Sequence, residues 1–498
     1  MVSLAAVFPA VSPRDSDVGA ALGVAATFEA RMKDLTQDSI VRNIIAMAAP
    51  IAAGMLFQTL YFLVDLYFVA AIGDSAVAGV GAAGTLNFIT IGLTQVLGVG
   101  AVALIAQAVG RKDQADANVV FNQSVLLAFV CAAVTLIGGY ALTSAYVGAI
   151  AADPQTQHEG STYLYWFLPG LALGFAQVTM ASALRGTGIV KPAMAIQAFT
   201  VLLNALLAPI LIAGWGTGVA LGVAGAGLAS TVSIVVGVVL LGLYFVKLEK
   251  YVSFRRDLWL PRFHVWKRML DVGLPAGGEF ALMFIYMGVI YWVISAFGSA
   301  GQAGFGIGSR IMQSIFMPSM AIAFAAGPIA GQNFVAGRGA RVRETFAKAV
   351  MLNTVVMVLV TVFLQWRPEA LVGFFTHESD ATEVGTTFLR TISWTFIAQG
   401  VVFTCSGMFQ GLGNTRPAML SSAIRLAAFV PLAIWVSKQP GFHLEQLWFV
   451  SVAAVWIQAA ASYLLLRHQF NRRLVDSLRV GGAPVGATAA AAAAESQG

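Results

Sequence analysis

Long apolar runs, each about one membrane thickness in length, alternate with short polar connections through most of the chain. A helix that crosses a hydrocarbon core needs about 20 apolar residues. Twelve such stretches occur, near 44–70, 79–108, 119–146, 161–184, 192–213, 221–246, 269–297, 302–335, 348–365, 384–409, 417–436 and 445–466. They are long and continuous, unlike the weak alternating segments of a membrane barrel. The pattern therefore predicts an all-α membrane protein with 12 transmembrane helices. Residues 1–40 and 471–498 fall outside it and are expected to be a disordered leader and tail. The leader has no basic stretch ahead of its apolar start, so it makes a poor signal peptide. The tail, "GGAPVGATAAAAAAESQG", is low-complexity.

Lys and Arg set the direction of each span. Twenty-four of the 29 lie in the leader, the tail and the connections after the second, fourth, sixth, eighth and tenth stretches. The opposite connections carry only Arg367 and Lys438, and Arg310, Arg390 and Arg425 lie within stretches. By the positive-inside rule both termini face the cytoplasm, and 247–268 is the largest cytoplasmic loop. A missed or invented span would have scrambled that asymmetry. The surplus charge of +6 is thus a topology signal, not a nucleic-acid surface. Composition agrees: 58% of residues are hydrophobic and 10% charged, against about 25% charged in a soluble domain. Cys131 and Cys405 both sit in apolar stretches, which predicts two free buried thiols, no disulfide and no metal site.

The two halves repeat at one constant offset. Gly73, Gly79 and Gly81 fall on Gly298, Gly304 and Gly306, and Gln107 falls on Gln332. "RGTGIVKPAM" falls on "QGLGNTRPAM" at the same distance. An offset that spans an even number of helices preserves orientation, so the halves are parallel repeats about an axis along the membrane normal. Residues 41–246 and 269–470 should form two six-helix lobes around a central cavity.

Few polar side chains interrupt the spans. Asp65 stands alone in "TLYFLVDLYFVAAIG", where a charge costs about 2.5–3.5 kcal/mol on the insertion scale. Intramembrane acids mark ion and substrate pathways; the alternative is a structural pair with Arg310 or Arg425. Glu279 lies four residues after Pro275, where the freed backbone could instead explain it. Gln58, Gln177, Asn204 and Gln399 suit interhelical hydrogen bonds. Tyr61, Tyr67, Tyr286 and Tyr291 offer ring faces to a flat cation, and Met283 an adaptable wall. No P-loop, dinucleotide fingerprint or metal-spaced His/Cys set occurs. The chain therefore reads as neither an enzyme nor a nucleotide-driven pump, and needs no cofactor.

Several motifs, in order and spacing, resemble the multidrug and toxic compound extrusion (MATE) transporter family over residues 40–470. They are "VDLYFVAAIGDSAVAGVG", "LIAQAVGRKD", "RGTGIVKPAM" with Asn204 beyond it, "GLPAGGE", "PIAGQNFVAGR" and "QGLGNTRPAM". The resemblance implies an antiporter of the bacterial inner (plasma) membrane. It would exchange inward H⁺ or Na⁺ for cationic or amphipathic organic compounds, with lipid around it and no nucleic-acid partner, as a monomer. It also implies Asp65, Asn204 and Glu279 as ion-coupling residues, with Na⁺ at Asp65 if sodium is used, and Tyr61, Tyr67, Met283, Tyr286 and Tyr291 as cavity wall. Two positions depart from the family pattern: Ala208 where an acid often follows the asparagine, and Met283 where a glutamate often follows the proline. Glu279 lies one turn earlier on the same face as Met283. Two other readings stay open here: a lipid-linked oligosaccharide flippase of the same superfamily, and a non-transporting receptor or scaffold.

Overall fold

A computed structural model describes residues 34–151, 153–373 and 379–480. Residues 1–33 and 481–498, most of the expected leader and tail, lie outside the described residues. The apolar runs fold as helices throughout. One lobe comprises α1 (Ile40–Ala70), α2 (Asp74–Gly110), α3 (Gln114–Ile150), α4 (Pro154–Gly186), α5 (Lys191–Ala213) and α6 (Val223–Lys247). The other comprises α7 (Phe263–Ile294), α8 (Gly298–Val335), α9 (Gly339–Trp366), a short α10 (Pro368–Val372), α11 (Ser379–Ile392), α12 (Phe396–Gly411), α13 (Arg416–Ser437) and α14 (Leu444–Val480). Twelve helical stretches among the described residues are long and apolar enough to cross a membrane, with α11 and α12 forming one of them. The last helix continues to Val480, beyond the lobe boundary expected at residue 470. Cys405 is buried, but Cys131 is only half-buried, and both are free.

Local chemistry starts the helices. The Asp153 carboxylate accepts the amides of Gln155 and Thr156, both at 2.9 Å, with Pro154 opening the first turn of α4. Hydrogen bonds from the Thr156 side chain and backbone, and from the Gln155 amide, hold the Asp153 carboxyl below its usual range. Asp113 caps α3 through the Asp116 amide at 2.9 Å.

The repeat is visible in the backbone. α3 and α5 begin at Gln114 and Lys191; α9 and α13 begin at the positions the sequence offset assigns to them, Gly339 and Arg416. Left-handed turns recur too: Gly188 has φ +84° and Gly413 +69°. A side chain at either turn would be strained, which explains the paired "RGTG" and "QGLG".

Contacts between the lobes show the same symmetry. Gln107 donates to the Gly411 carbonyl at 3.1 Å, and Gln332 donates to the Gly186 carbonyl at 3.2 Å. Gln332 is the repeat counterpart of Gln107, and Gly411 that of Gly186. Each bond is therefore the other with its lobes exchanged, the signature of a two-fold axis. Both glutamines lie in the last turn of their helix, so the axis runs along the helices and the repeats are parallel.

Small residues let the backbones meet there. A Cβ on Gly100 would strike the Met269 carbonyl, and one on Gly273 the Val96 carbonyl. Apolar clusters at this end draw on both lobes: Ile44, Met47 and Ile51 pack with Ala325, Ile329 and Met408, while Met269 packs with Leu104 and Met180. At the other end each cluster belongs to one lobe, with Val69, Tyr163 and Phe167 in the first and Ile290, Phe388 and Phe429 in the second. The lobes are thus joined at the end that carries residues 248–262 and have separate cores at the opposite end.

Candidate transport site

Four helices of the first lobe converge on Asp65. The carboxylate, on α1, is 7% exposed. Ion pairs among the described residues lie elsewhere, at Asp116, Asp257 and Glu369, so Asp65 is not the structural partner of Arg310 or Arg425. Its Oδ1 is buried and has no hydrogen-bond donor among the described residues. Asn204, from α5, is fully buried; its Nδ2 donates to Ser230 Oγ on α6 at 3.4 Å, and its Oδ1 also lacks a donor. Ser230 stands beside the phenols of Tyr61 on α1 and Tyr163 on α4, and both phenols lie in the field of Asp65.

Buried polar atoms nearly always have a partner, and an exception calls for an explanation. Here two such oxygens, on Asp65 and Asn204, are buried in the first lobe, the second beside the Ser230 hydroxyl. A small cation supplies what that set lacks. A proton would neutralise Asp65, and a hard metal cation such as Na⁺ prefers oxygen donors of this kind. No group of three or more His, Cys, Asp or Glu occurs among the described residues. The donor set therefore fits a monovalent ion better than a transition metal.

Glu279 belongs to a different place. On α7 it accepts a hydrogen bond from Ser406 of α12 at 3.0 Å, inside the second lobe. The three residues expected to couple ions therefore split between the lobes: Asp65 and Asn204 lie in the first and Glu279 in the second. Met283, one turn beyond Glu279, is 43% exposed.

The expected aromatic wall divides as well. Tyr61 joins the Asp65 pocket. Tyr67 is 73% exposed and, two residues on from Asp65, points about 200° away around the helix. Tyr291 is part-exposed and meets Phe305 edge-on at 5.0 Å. Tyr286 is not free wall at all. It is 4% exposed, its hydroxyl is bonded to Ser451, and the Arg425 guanidinium lies 3.8 Å from its ring centre. The cation on that ring is the protein's own. Arg425 also donates to Gln458 at 3.3 Å, which donates to Ser422 at 3.0 Å.

Arg310 takes a different position. Met317 of α8 meets Thr59 of α1 where the lobes join. Arg310 lies seven residues earlier, on the same face two turns toward the separated end. It is exposed and has no ion pair among the described residues.

Sequence reasoning missed Tyr163, Ser230 and Ser406. A lone serine or tyrosine in an apolar helix carries no periodic signal. Only the fold brings Ser230 to Asn204, or Ser406 to Glu279.

Comparison with known proteins gives the same architecture. The MatE family model matches twice, over residues 50–210 and 275–435, once in each lobe and again at the spacing of the repeat. The multidrug export protein MepA of Staphylococcus aureus (strain MSSA476) is 25% identical over 446 residues, covering 88% of this chain and 96% of the relative. Its counterpart in Staphylococcus saprophyticus is 23% identical over 448 residues, covering 88% of this chain and 96% of the relative. A solved structure described as MATE in the bent conformation superposes with a TM-score of 0.84 at 24% identity, covering 89% of this chain and 98% of that one. An outward-facing multidrug resistance MATE family transporter of the MOP superfamily gives 0.83 at 24% identity, with the same coverage. A MOP superfamily transporter from Pyrococcus furiosus gives 0.82 at 24% identity, covering 88% and 97%. With its two matched repeats, one per lobe and related by the offset seen in both sequence and backbone, the chain belongs to the MatE family of membrane transporters.

Proposed function

We propose that this protein is a secondary-active multidrug exporter that exchanges H⁺ or Na⁺ for cationic or amphipathic organic molecules by alternating access. It acts as a monomer in the bacterial inner membrane, with both termini in the cytoplasm. The observation that carries this reading is the pair of orphaned oxygens, Asp65 Oδ1 and Asn204 Oδ1, both buried within the first lobe. The export names of the MepA relatives support the substrate class. The chemistry is transport, not catalysis.

The geometry supports a simple cycle. The lobes are joined at the 248–262 end, which the charge asymmetry assigns to the cytoplasm, so the cleft opens outward. A cation from outside loads at Asp65 and satisfies both orphaned oxygens. Closing the cleft on that side and parting the Gln107–Gly411 and Gln332–Gly186 contacts exposes the site inward. There the ion leaves and drug enters. An exchange of one proton per drug molecule sustains about a tenfold drug gradient per pH unit.

Vesicles test this directly. Ethidium efflux is measured under an imposed pH gradient and then under an imposed Na⁺ gradient. One of the two gradients should drive efflux in the wild type, and neither should in Asp65→Asn. If neither drives the wild type, the exchange reading fails. Topology is checked with an impermeant maleimide: a cysteine at Gln155 should label from outside and one at Arg256 should not. The reverse pattern would invert the cycle.

A further inference from the structure

A cavity of about 280 Å³ lies between the start of α9 and the end of α14 in the second lobe. Arg343, Arg467 and Asn471 supply its polar lining, and Phe346, Tyr463 and Phe470 its rings. It is separate from the Asp65 and Glu279 sites. It is also small for a drug, whose pockets run about 300–1,000 Å³. Both arginines are exposed, and neither has an ion pair among the described residues.

The repeat provides an internal control. The same offset, taken backwards, places Asn118, Phe121, Gly242 and Phe245 of the first lobe at Arg343, Phe346, Arg467 and Phe470. That groove is filled by the chain itself. Phe254 packs on Phe121 at 5.2 Å and on Phe245 at 5.9 Å. Asn118 donates to the Tyr251 carbonyl at 3.0 Å and accepts the Ser253 amide at 2.9 Å. In the first lobe α6 stops at Lys247 and the chain folds back over the groove; in the second, α14 runs straight on to Val480. Among the described residues nothing folds over this groove, and it has gained two guanidinium groups where its covered twin has an amide and a glycine.

We propose that this groove binds the phosphate headgroup of an anionic phospholipid, held by Arg343 and Arg467. Guanidinium forks match phosphate oxygens in a bidentate manner. Basic pockets between membrane helices at the cytoplasmic surface suit such headgroups. The surroundings favour a lipid over free phosphate. Tyr463 and Leu464 on α14 are 45% and 61% exposed, and Met351 and Val355 on α9 are 47% and 54% exposed. They continue from the cavity toward the middle of the membrane and give an acyl chain an apolar track. Tyr463 also has the ring-and-hydroxyl character common at the membrane boundary.

The test uses the full chain purified in a neutral detergent, with the melting temperature read on adding lipid. Dioleoylphosphatidylglycerol should raise it by at least about 3 °C, and dioleoylphosphatidylcholine should not. Arg343→Gln/Arg467→Gln should abolish the shift, while Arg256→Gln/Arg416→Gln, which removes the same charge elsewhere, should keep it. Arg343→Asn alone should give an intermediate shift. A chain ending at Val480 should respond like the full one. Equal loss in both double variants would reduce the effect to diffuse charge and overturn the proposal. Equal shifts with inorganic phosphate would assign the site to a soluble anion and overturn its lipid part. A response that appears only after the truncation would make residues 481–498 the occupant and likewise overturn the lipid assignment.

Discussion

The two lobes share one backbone plan and differ at their centres. The repeat counterparts of Tyr61, Asp65, Tyr163, Asn204 and Ser230 are Tyr286, Ile290, Phe388, Phe429 and Val455. The last four are at most 3% exposed, and Ile290, Phe388 and Phe429 share one apolar cluster with Tyr286. Where the first lobe keeps oxygens without donors, the second has close-packed carbon, with Phe429 against Tyr286 at 4.5 Å. The second lobe carries its own polar groups at other positions, Glu279 with Ser406 and Arg425 with Gln458. Their counterparts in the first lobe are Gly54, Ala181, Thr200 and Ser233. Duplication thus preserved the helix register and the reciprocal glutamine contacts, which the two-fold packing needs. It left the lobe interiors free to diverge, so that one keeps buried oxygens without donors among the described residues and the other is packed with carbon.

The largest test of that asymmetry is Asp65→Asn. It should keep folded yield and lower gradient-driven efflux about 100-fold or more, to the level of empty vesicles, while Asp65→Glu keeps part of the rate because its carboxylate remains. The reciprocal change, Ile290→Asp, puts a carboxylate in the packed lobe, where the counterparts of Asn204 and Ser230 are Phe429 and Val455. It should cost about 2.5–3.5 kcal/mol and show as reduced membrane yield and a lower melting temperature. If Ile290→Asp were tolerated as well as the native Asp65, the two interiors would not differ as described.

Glu279→Gln should lower the rate only several-fold and narrow the range of compounds accepted, since its hydrogen bond with Ser406 can survive as an amide contact. Abolition of efflux, as in Asp65→Asn, would make the second lobe an equal partner in coupling. Gln107→Ala and Gln332→Ala should act alike, each removing about 1 kcal/mol from the joined end. Both should raise amide hydrogen exchange at the joined end by a similar factor. Unequal factors would break the two-fold symmetry of the contact.

The smallest effect concerns Glu249, just past α6. Burial pushes its carboxyl above the usual range; Oε1 accepts the Tyr251 amide at 2.9 Å and Oε2 has no hydrogen-bond partner among the described residues. An acid raised on folding holds its proton more tightly when folded. Stability should therefore fall as pH rises from the ordinary carboxylate value through the folded one. Glu249→Gln should flatten that decline and raise the melting temperature slightly at neutral pH. The Asn118–Ser253 strap has no counterpart in the second lobe, so no such pH dependence should arise there.

The fold was legible because membrane insertion writes itself into long apolar runs, and charge asymmetry fixes their number. The repeat was legible because its glycines answer to backbone geometry, as Gly188 and Gly413 do at positive φ. Asp65 stood out for the cost of placing it. Its surroundings did not, because Tyr163 and Ser230 are ordinary residues of an apolar helix until α4 and α6 bring them to α1. The aromatic wall was misjudged at Tyr286 for a related reason: a ring shows its capacity for a cation in sequence, but not that Arg425 already occupies it. That distinction exists only in tertiary structure.

The central claim is that Asp65, with Asn204 beside it, gains and loses a monovalent cation once per drug molecule. The most direct measurement uses purified protein in weakly buffered detergent. Ethidium is added while proton release is followed with a pH dye, and the titration is repeated after loading with ²²Na⁺ while bound sodium is counted. Wild type should release about one proton, or about one sodium ion, per ethidium bound, and Asp65→Asn should bind ethidium and release neither. Release of the same ion in the same amount from Asp65→Asn would contradict the account.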